Sequence, residues 1–355
     1  MIEIDGSMME GGGQLLRMAT TYSAIMGKPV RVFNIRGKRS SPGLRPQHYA
    51  TLKALADLSE GSVEGLELGS ETITFNAGKI KGGDFNFDIG TAGSIGLMIQ
   101  CLAPTASFAD SPVTLRIRGG TAVKWSPPVR FLKNVVWRIY REMGFKGELT
   151  VKREGFYPKG GGLVDLKIKP ISTFTPIVAE EWNEIDLIRG VSLCGRLPKH
   201  VARRQARSAE EVLKAEGYES EIEISPPRGE TPLSPGSLIL LWTTGSPDVY
   251  LGSDALGERG KPAEEVGQEA AYDLIEQLAS CASVDYHTAD NLILPCSLAN
   301  GRSVFTTSKL TLHTLTAIEL SKNITGAEFE VEGARGKQGR IICHGIGENL
   351  TRIES

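Results

Sequence analysis

The chain has 355 residues, 40% hydrophobic and 23% charged, which excludes a disordered or fibrous protein and leaves room for two domains. Five cysteines (Cys101, Cys194, Cys281, Cys296, Cys343) are scattered and odd in number, which argues against a disulfide framework or a zinc site and for a reducing compartment. The net charge of −2 is close to neutral, and only glycine stands out, with 41 residues against a usual share of roughly 7%.

The first residues, Met1 to Gly6, lack the basic flank and apolar run of a signal peptide. The longest apolar stretch, Ile95 to Ala109, is broken by Gln100 and Pro104 and is too short to cross a bilayer, so the expectation is a cytoplasmic protein without a membrane partner. Near the start, Met9-Glu10-Gly11-Gly12-Gly13-Gln14-Leu15-Leu16-Arg17 places three glycines before a helical run. That arrangement lets backbone N–H groups meet an anion at a helix N-terminus, with Arg17 as a forked donor. Glu10 is the last acid before a basic window, where a carboxylate suits a metal ion. From Gly11 to Ala56 there is no Asp or Glu, while Arg17, Lys28, Arg31, Arg36, Lys38, Arg39, Arg45 and Lys53 are present.

Within that window, Ile35 to His48 forms a Gly/Ser/Pro loop flanked by Arg36 and Arg39 and opening onto a helix with Gln47 in its first turn. Next, Asp88-Ile89-Gly90-Thr91-Ala92-Gly93-Ser94-Ile95-Gly96 leads into a helix carrying Gln100, small hydroxyl residues that suit phosphate or sugar, or simply close packing. A second acid-free window, Ser111 to Arg141, carries Arg116, Arg118, Lys124, Arg130, Lys133, Arg138 and Arg141. Two single-sign windows in a near-neutral chain predict a positive cleft for a polyanion.

Three segments repeat one pattern of helix, strand, Gly-containing turn and strand. The first is predicted from Pro46 to Leu58, then Ile73-Thr74-Phe75, a turn at Gly82-Gly83, and Phe85 to Asp88. The second has a helix from Val129 to Met143, strands at 149–152 and 163–166, and the turn Gly160-Gly161-Gly162. The third has a helix from Leu312 to Asn323, strands at 329–332 and 340–343, and a turn at 336–339. Between the second and third lies an extra stretch with a helix (202–215), strands (220–224, 237–241), a closing helix (262–278) and a turn-rich loop, Ser225-Pro226-Pro227-Arg228-Gly229 to Pro235-Gly236. The expected fold is α/β (α+β): a large domain of three repeated βαβ-like units, residues 1–183 and 280–355, with a smaller inserted α/β domain at 184–279.

The last chemistry-bearing segments are His287-Thr288-Ala289-Asp290-Asn291 and Ser308 to Ile318, which contains His313. A histidine on a helix is by itself weak evidence. Together with Glu10-Gly-Gly-Gly-Gln-x-x-Arg17, the His313-x-Leu-Thr element and the two intervening loops resemble, in this order, the RNA 3′-terminal phosphate cyclase family. The resemblance covers essentially the whole chain, and it implies the same fold of three units and an insert. It also implies a ligase acting in RNA processing that uses ATP and Mg²⁺ (or Mn²⁺) on RNA 3′ ends. His313 matches the histidine that becomes adenylylated. Gln100 and the segment His287, Thr288, Ala289, Asp290 and Asn291 match the ATP/AMP pocket. Arg17, Arg36, Arg39 and Gln47 match side chains near the RNA phosphate, and Glu10 matches a residue at the metal. The family often has an aromatic residue where His287 stands and a glutamine where Asn291 stands.

The reaction so implied makes a 2′,3′-cyclic phosphodiester in three steps: a histidine–AMP intermediate, RNA(3′)pp(5′)A, and ring closure by the 2′-hydroxyl. Neutral imidazole suits the first step, with an unperturbed pKa of about 6.5. A lysine nucleotidyltransferase would need Lys-x-Asp-Gly where Lys152-Arg153-Glu154-Gly155 stands, and no P-loop sequence is present. The alternative from another class is a non-catalytic, RNA-associated ribosome-assembly relative; such relatives lack the histidine that is present here.

Overall fold

The computed structural model describes residues 1–180, 182–225 and 230–349. The first unit runs β1 (Ile2–Asp5), α1 (Gly13–Met26), β2 (Val30–Phe33), α2 (Pro46–Leu58), β3 (Ser62–Glu64) and β4 (Ile73–Asn76). Its sheet has the order β1-β2-β4-β3, with β1 and β2 parallel and the other pairs antiparallel. Strand alternation puts Ile4, Val32, Ile73 and Phe75 inward, and α1 lays Leu15, Leu16, Ala19 and Tyr22 into the core.

The second unit repeats that topology. It comprises β5 (Gly83–Asp88), α3 (Ile95–Ala106), β6 (Val113–Gly119), α4 (Val129–Phe131), a π-helical stretch (Leu132–Val136), α5 (Trp137–Glu142), β7 (Lys146–Arg153) and β8 (Gly162–Lys169), in the order β5-β6-β8-β7. The first hairpin therefore differs from the sequence expectation. Phe85 to Asp88 does not return beside Ile73-Thr74-Phe75; it opens the second unit, parallel to β6 in the register Gly83↔Val113, while β4 pairs with β3. The double glycine at 82–83 marks a junction between units, not a hairpin turn.

The third unit begins with β9 (Val178–Ala179), and the extra segment follows it: β10 (Leu187–Gly195), α6 (His200–Ala215), β11 (Ser220–Ser225), β12 (Gly236–Thr244), β13 (Gly252–Leu256) and α7 (Ala263–Leu278). Residues 226–229 of the predicted turn-rich loop lie outside the described residues. The unit then resumes with α8 (Tyr286–Ser297), β14 (Arg302–Thr307), α9 (Leu312–Thr325), β15 (Glu328–Gly333) and β16 (Gly339–His344), in the order β15-β16-β14-β9 with β9 parallel to β14. The extra segment thus interrupts the third unit rather than preceding it.

Its sheet has the order β11-β10-β12-β13, and the central strand β12 is buried on both faces. Ile239 and Leu241 join a core with Leu213, Val266 and Leu274 of α6 and α7, while Leu238 and Leu240 join the main core. This is the period-2 consequence of a strand with no polar face. Among the described residues, no helix is long and apolar enough to cross a membrane.

Helices α1, α8 and α9 are tied together deep in the main core. The Tyr22 hydroxyl lies 2.8 Å from Ser297 Oγ and 2.6 Å from Ser321 Oγ, one contact to each neighbouring helix. From that knot the three N-terminal ends converge on a cavity of about 1500 Å³.

Candidate active site

The cavity's charged wall starts at the glycines before α1. Gly11 has φ +62°, a left-handed turn that favours glycine, and Gly12 caps α1 without any side-chain hydrogen bond. A Cβ at Gly12 would collide with the Glu10 carboxylate and stand 2.8 Å from Arg39 Nη2. One at Gly13 would collide with the His48 ring and stand 3.1 Å from Arg17 Nη1. The glycines thus let four charged or polar side chains crowd around a helix end whose first N–H groups have no side-chain acceptor, a favourable place for an anion.

Glu10 is the centre of this cluster. Its side chain is 8% exposed, Oε1 pairs with the Arg39 guanidinium, and the same oxygen lies 3.9 Å from His313 Nε2. Glu10 Oε2 is buried with no hydrogen-bond partner, the only such side-chain atom among the described residues. A buried carboxylate oxygen without a partner is costly, and a divalent cation would satisfy it. Among the described residues no group of three or more His, Cys, Asp or Glu side chains is placed to hold a metal ion, so Glu10 would be a cation's single carboxylate from this chain.

His313 stands in the first turn of α9. The helix is capped by Thr311, whose Oγ1 accepts the Thr314 N–H at 3.0 Å. Asp290 on α8 accepts the Thr311 hydroxyl at 3.1 Å and the Thr314 hydroxyl at 2.5 Å, so it braces the helix start that carries His313. Burial pushes the Asp290 carboxyl up to about 7. The His313 Nδ1 lies 2.9 Å from Gln14 Oε1. An amide oxygen only accepts, so this contact assigns the proton to Nδ1 and leaves the Nε2 lone pair towards the cavity. Burial first, then Arg17 and Arg39, hold the imidazole below its ordinary pKa and therefore neutral at pH 7.

The remaining basic residues divide by use. Arg17 lines the cavity with no salt bridge among the described residues, and burial lowers its pKa. Arg36, at φ +56°, donates from Nη1 to the carbonyls of Ser41 (2.6 Å) and Gly43 (3.1 Å), holding its own loop closed. Gln47 Oε1 accepts the Ser94 N–H at 2.9 Å, which clamps α2 to the start of α3 and leaves its amide N–H groups uncommitted. Gln100 lines the cavity from α3.

Across the cavity the chemistry changes. The His287 ring meets Phe131 edge-on at 5.9 Å and Tyr286 at 4.3 Å, and burial holds it neutral, with a pKa of about 4. Asn291 Nδ2 donates to the His287 carbonyl at 2.8 Å. Burial, then Asp273, Asp285 and Glu269, push the Asp254 carboxyl up to about 8. Of these rings only His287 lines the cavity itself, and Asp254 shares the lining with Glu258, Arg259 and Glu269.

A family model described as RNA 3′-terminal phosphate cyclase matches residues 8–331. The chain belongs to this family. Curated relatives named RNA 3′-terminal phosphate cyclase include that of Methanopyrus kandleri, 44% identical over 96% of this chain and 98% of its own. Those of Ignicoccus hospitalis (46%, covering 95% and 96%) and Pyrococcus furiosus (44%, covering 96% and 98%) agree. Among solved structures, the enolpyruvyl transferase NikO from Streptomyces tendae overlays with a TM-score of 0.39 at 12% identity, over 99% of this chain and 50% of its own. That likeness is too weak to bear on fold or chemistry.

Of the residues singled out on the cyclase resemblance, Glu10, Arg17, Arg36, Arg39, Gln47, Gln100, His287, Asp290, Asn291 and His313 line one cavity. Thr288 and Ala289 do not: the Thr288 hydroxyl donates to Asp285 in the cap of α8, and Ala289 is wholly buried. The second basic window also departs from expectation, since only Lys124 of its seven cations lines the cavity. Arg116, Arg118 and Arg130 are paired with Asp165, Asp88 and Glu154.

Two residues outside the expected site set also have clear roles. Gln14 orients His313, and its signal is its place one turn before Arg17 on α1. His48 accepts the Arg45 N–H at Nδ1 (3.2 Å), so its proton is on Nε2, beside the start of α1. Burial, then Arg17, Arg36 and Arg45, drop its pKa to about 3 and make it a fixed neutral donor.

Proposed function

We propose that this protein converts an RNA 3′-terminal phosphate into a 2′,3′-cyclic phosphodiester at the expense of ATP, through a covalent adenylate on His313. Membership of the cyclase family supports the reaction class. The observation that carries the mechanism is the His313 ring at the start of α9, with Nδ1 2.9 Å from Gln14 Oε1 and Nε2 turned towards Glu10.

In the first step Nε2 attacks the α-phosphorus of ATP, a P–N bond forms, and pyrophosphate leaves. Gln14 keeps the proton on Nδ1, so the adenylylated ring is cationic and becomes a good leaving group. In the second step an oxygen of the RNA 3′-phosphate attacks the same phosphorus; the P–N bond breaks and neutral His313 returns. In the third step the vicinal 2′-oxygen attacks the 3′-phosphorus, AMP leaves with the bonding electrons, and the hydroxyl proton passes to solvent.

Arg17, Arg39 and the His48 Nε2–H are the donors suited to hold the phosphate in line, with the start of α1 as a positive backdrop. Glu10, with its partnerless oxygen, is the residue to hold Mg²⁺ or Mn²⁺, which would neutralise developing phosphate charge when bound. His287, backed by the buried Phe131, lines the cavity with Gln100 and Asn291, a set that suits the adenine nucleoside. On this reading residues 184–279 act as a small domain whose 254–259 segment closes the far side of the cavity. The five cysteines are free, as in the reducing cytoplasm proposed for it.

The test is an RNA with a 3′-phosphate on a 2′-deoxy terminal sugar. A well-aligned intramolecular nucleophile is worth up to about 7–11 kcal/mol of barrier, so its removal should stop the reaction after adenylyl transfer. The strand carrying the 3′,5′-pyrophosphate link should accumulate as a slower-migrating band, while ordinary ribose ends become resistant to phosphatase. A deoxy end that is never adenylylated, or an ordinary end that is never converted, contradicts the scheme.

A further inference from the structure

The mouth of the cavity carries two large aromatic side chains in water. Trp125 is 95% exposed and Tyr157 is 76% exposed, and both line the cavity that contains His313. An indole left in solvent forgoes the burial that ordinarily makes tryptophan favourable. Trp125 moreover sits at φ +69°, a left-handed conformation that a bulky residue adopts only where the surroundings impose it.

The loop that carries it is anchored at both ends. The Thr121 N–H donates to the Gly155 carbonyl at 2.9 Å, and the Val129 N–H returns to the Thr121 carbonyl at 2.8 Å, closing the loop on itself. Beneath it the buried Glu154 carboxylate takes both the Thr121 hydroxyl and the Arg130 guanidinium. Lys124 reaches Glu258 of the inserted segment at 2.8 Å. A bridge between Ala122 and Phe156 sets the Trp125 loop beside the Tyr157 loop, and Phe156 itself is buried. The loop is therefore held at both ends and along the Phe156 flank, while the Trp125 ring stands in solvent. Cations accompany it: Lys159 follows Tyr157 by two residues, and Lys124, paired with Glu258, precedes Trp125.

We infer that Trp125 and Tyr157 form a platform on which the unpaired bases of an RNA 3′ end stack as its terminal phosphate enters the cavity. This inference rests on the RNA 3′-end reading above. Rigid exposed rings beside lysines are what single-stranded nucleic acid uses, because every base presents a face and every linkage a phosphate. Stacking of this kind reads no sequence, which suits an enzyme whose chemistry concerns only the terminal nucleotide.

The experiment compares 3′-phosphorylated oligoribonucleotides that are intact with ones abasic at the nucleotides preceding the terminal one. It measures Kd by fluorescence anisotropy and KM for conversion to phosphatase-resistant ends. Removing one stacked base or its ring weakens binding on the order of tenfold. Trp125→Ala should raise Kd and KM for the intact strand by about that factor, Tyr157→Ala by less, and Trp125→Phe, which keeps a ring, should restore most of the loss. The abasic strand should bind the unsubstituted protein about tenfold more weakly and lose almost nothing further in Trp125→Ala. Equal affinity for intact and abasic strands, or an equal loss on both in Trp125→Ala, overturns the platform. If no strand is ever cyclised yet intact strands still outbind abasic ones through Trp125, the platform stands and the proposed reaction falls.

Discussion

The first and second units have one topology and opposite chemistry at the start of their first helix. In the second, α3 begins with Ser94, whose Oγ accepts the Leu97 N–H at 3.2 Å and whose own N–H is taken by Gln47. Its next N–H, from Ile95, goes to the Gly120 carbonyl at 2.8 Å, so that helix end is spent on the fold. The equivalent helix of the third unit, α8, is likewise capped by Asp285, which accepts the Thr288 N–H at 2.6 Å. In the first unit α1 begins on Gly12 with no side-chain cap, and Glu10, Arg17, Arg39 and His48 crowd its end instead. Repetition thus supplies a scaffold three times, and the few residues before α1 give one copy a charged helix end that the other two lack.

Giving α1 the start that α3 has should break this difference with the largest effect. Gly12→Ser offers a capping hydroxyl but drives a Cβ into the Glu10 carboxylate; self-adenylylation should fall at least about a hundredfold, read from initial labelling rates. A near-unchanged rate would mean that the open helix end is incidental.

A smaller effect concerns pH. On the proposed mechanism the reactive form of His313 is neutral, and burial, Arg17 and Arg39 together hold its pKa below the usual 6.5. Labelling should therefore persist as pH falls through 6.5 and decline only below that. Arg39→Gln removes a repelling cation and leaves Glu10 unpaired near Nε2, so imidazolium is favoured and the acid limb of the pH–rate profile should move up by as much as about one unit.

Smallest is the reverse exchange. Ser94→Gly gives α3 a bare start and should cost only a few tenths of a kcal/mol, seen as a slightly lower denaturant midpoint.

Much of the charged wall was legible because its residues are contiguous in the chain and their types name the chemistry: Glu10 before three glycines, Arg36 and Arg39 across one loop, His313 at a helix start. The helix-and-hairpin halves of the second and third units were legible too, since a helical period is followed there by two alternating strands; the π-helical stretch at Leu132–Val136 inside the helix expected over 129–143 left no mark in the pattern. The first hairpin was not. Its outer strand, Ser62-Val63-Glu64, is three residues with one apolar side chain, whereas Phe85 and Phe87 alternate plainly but pair with residues some thirty positions away. The start of the third unit is two residues long and lies before the inserted segment, so no local pattern marks it. Ion pairing likewise left no local mark: Arg116 and Arg130 look available in sequence because Asp165 and Glu154 are distant from them.

The central claim is that the open end of α1 and the neutral ring of His313 together form a nucleotidyl-transfer site. The most direct measurement is incubation with α-labelled ATP and Mg²⁺, comparing the unsubstituted protein with His313→Ala and with His200→Ala, a histidine on α6 of the inserted segment. Label should attach to the unsubstituted protein and to His200→Ala, be lost in acid and survive alkali as a phosphoramidate does, and be absent from His313→Ala. Label that persists in His313→Ala, or that is acid-stable, would contradict the account.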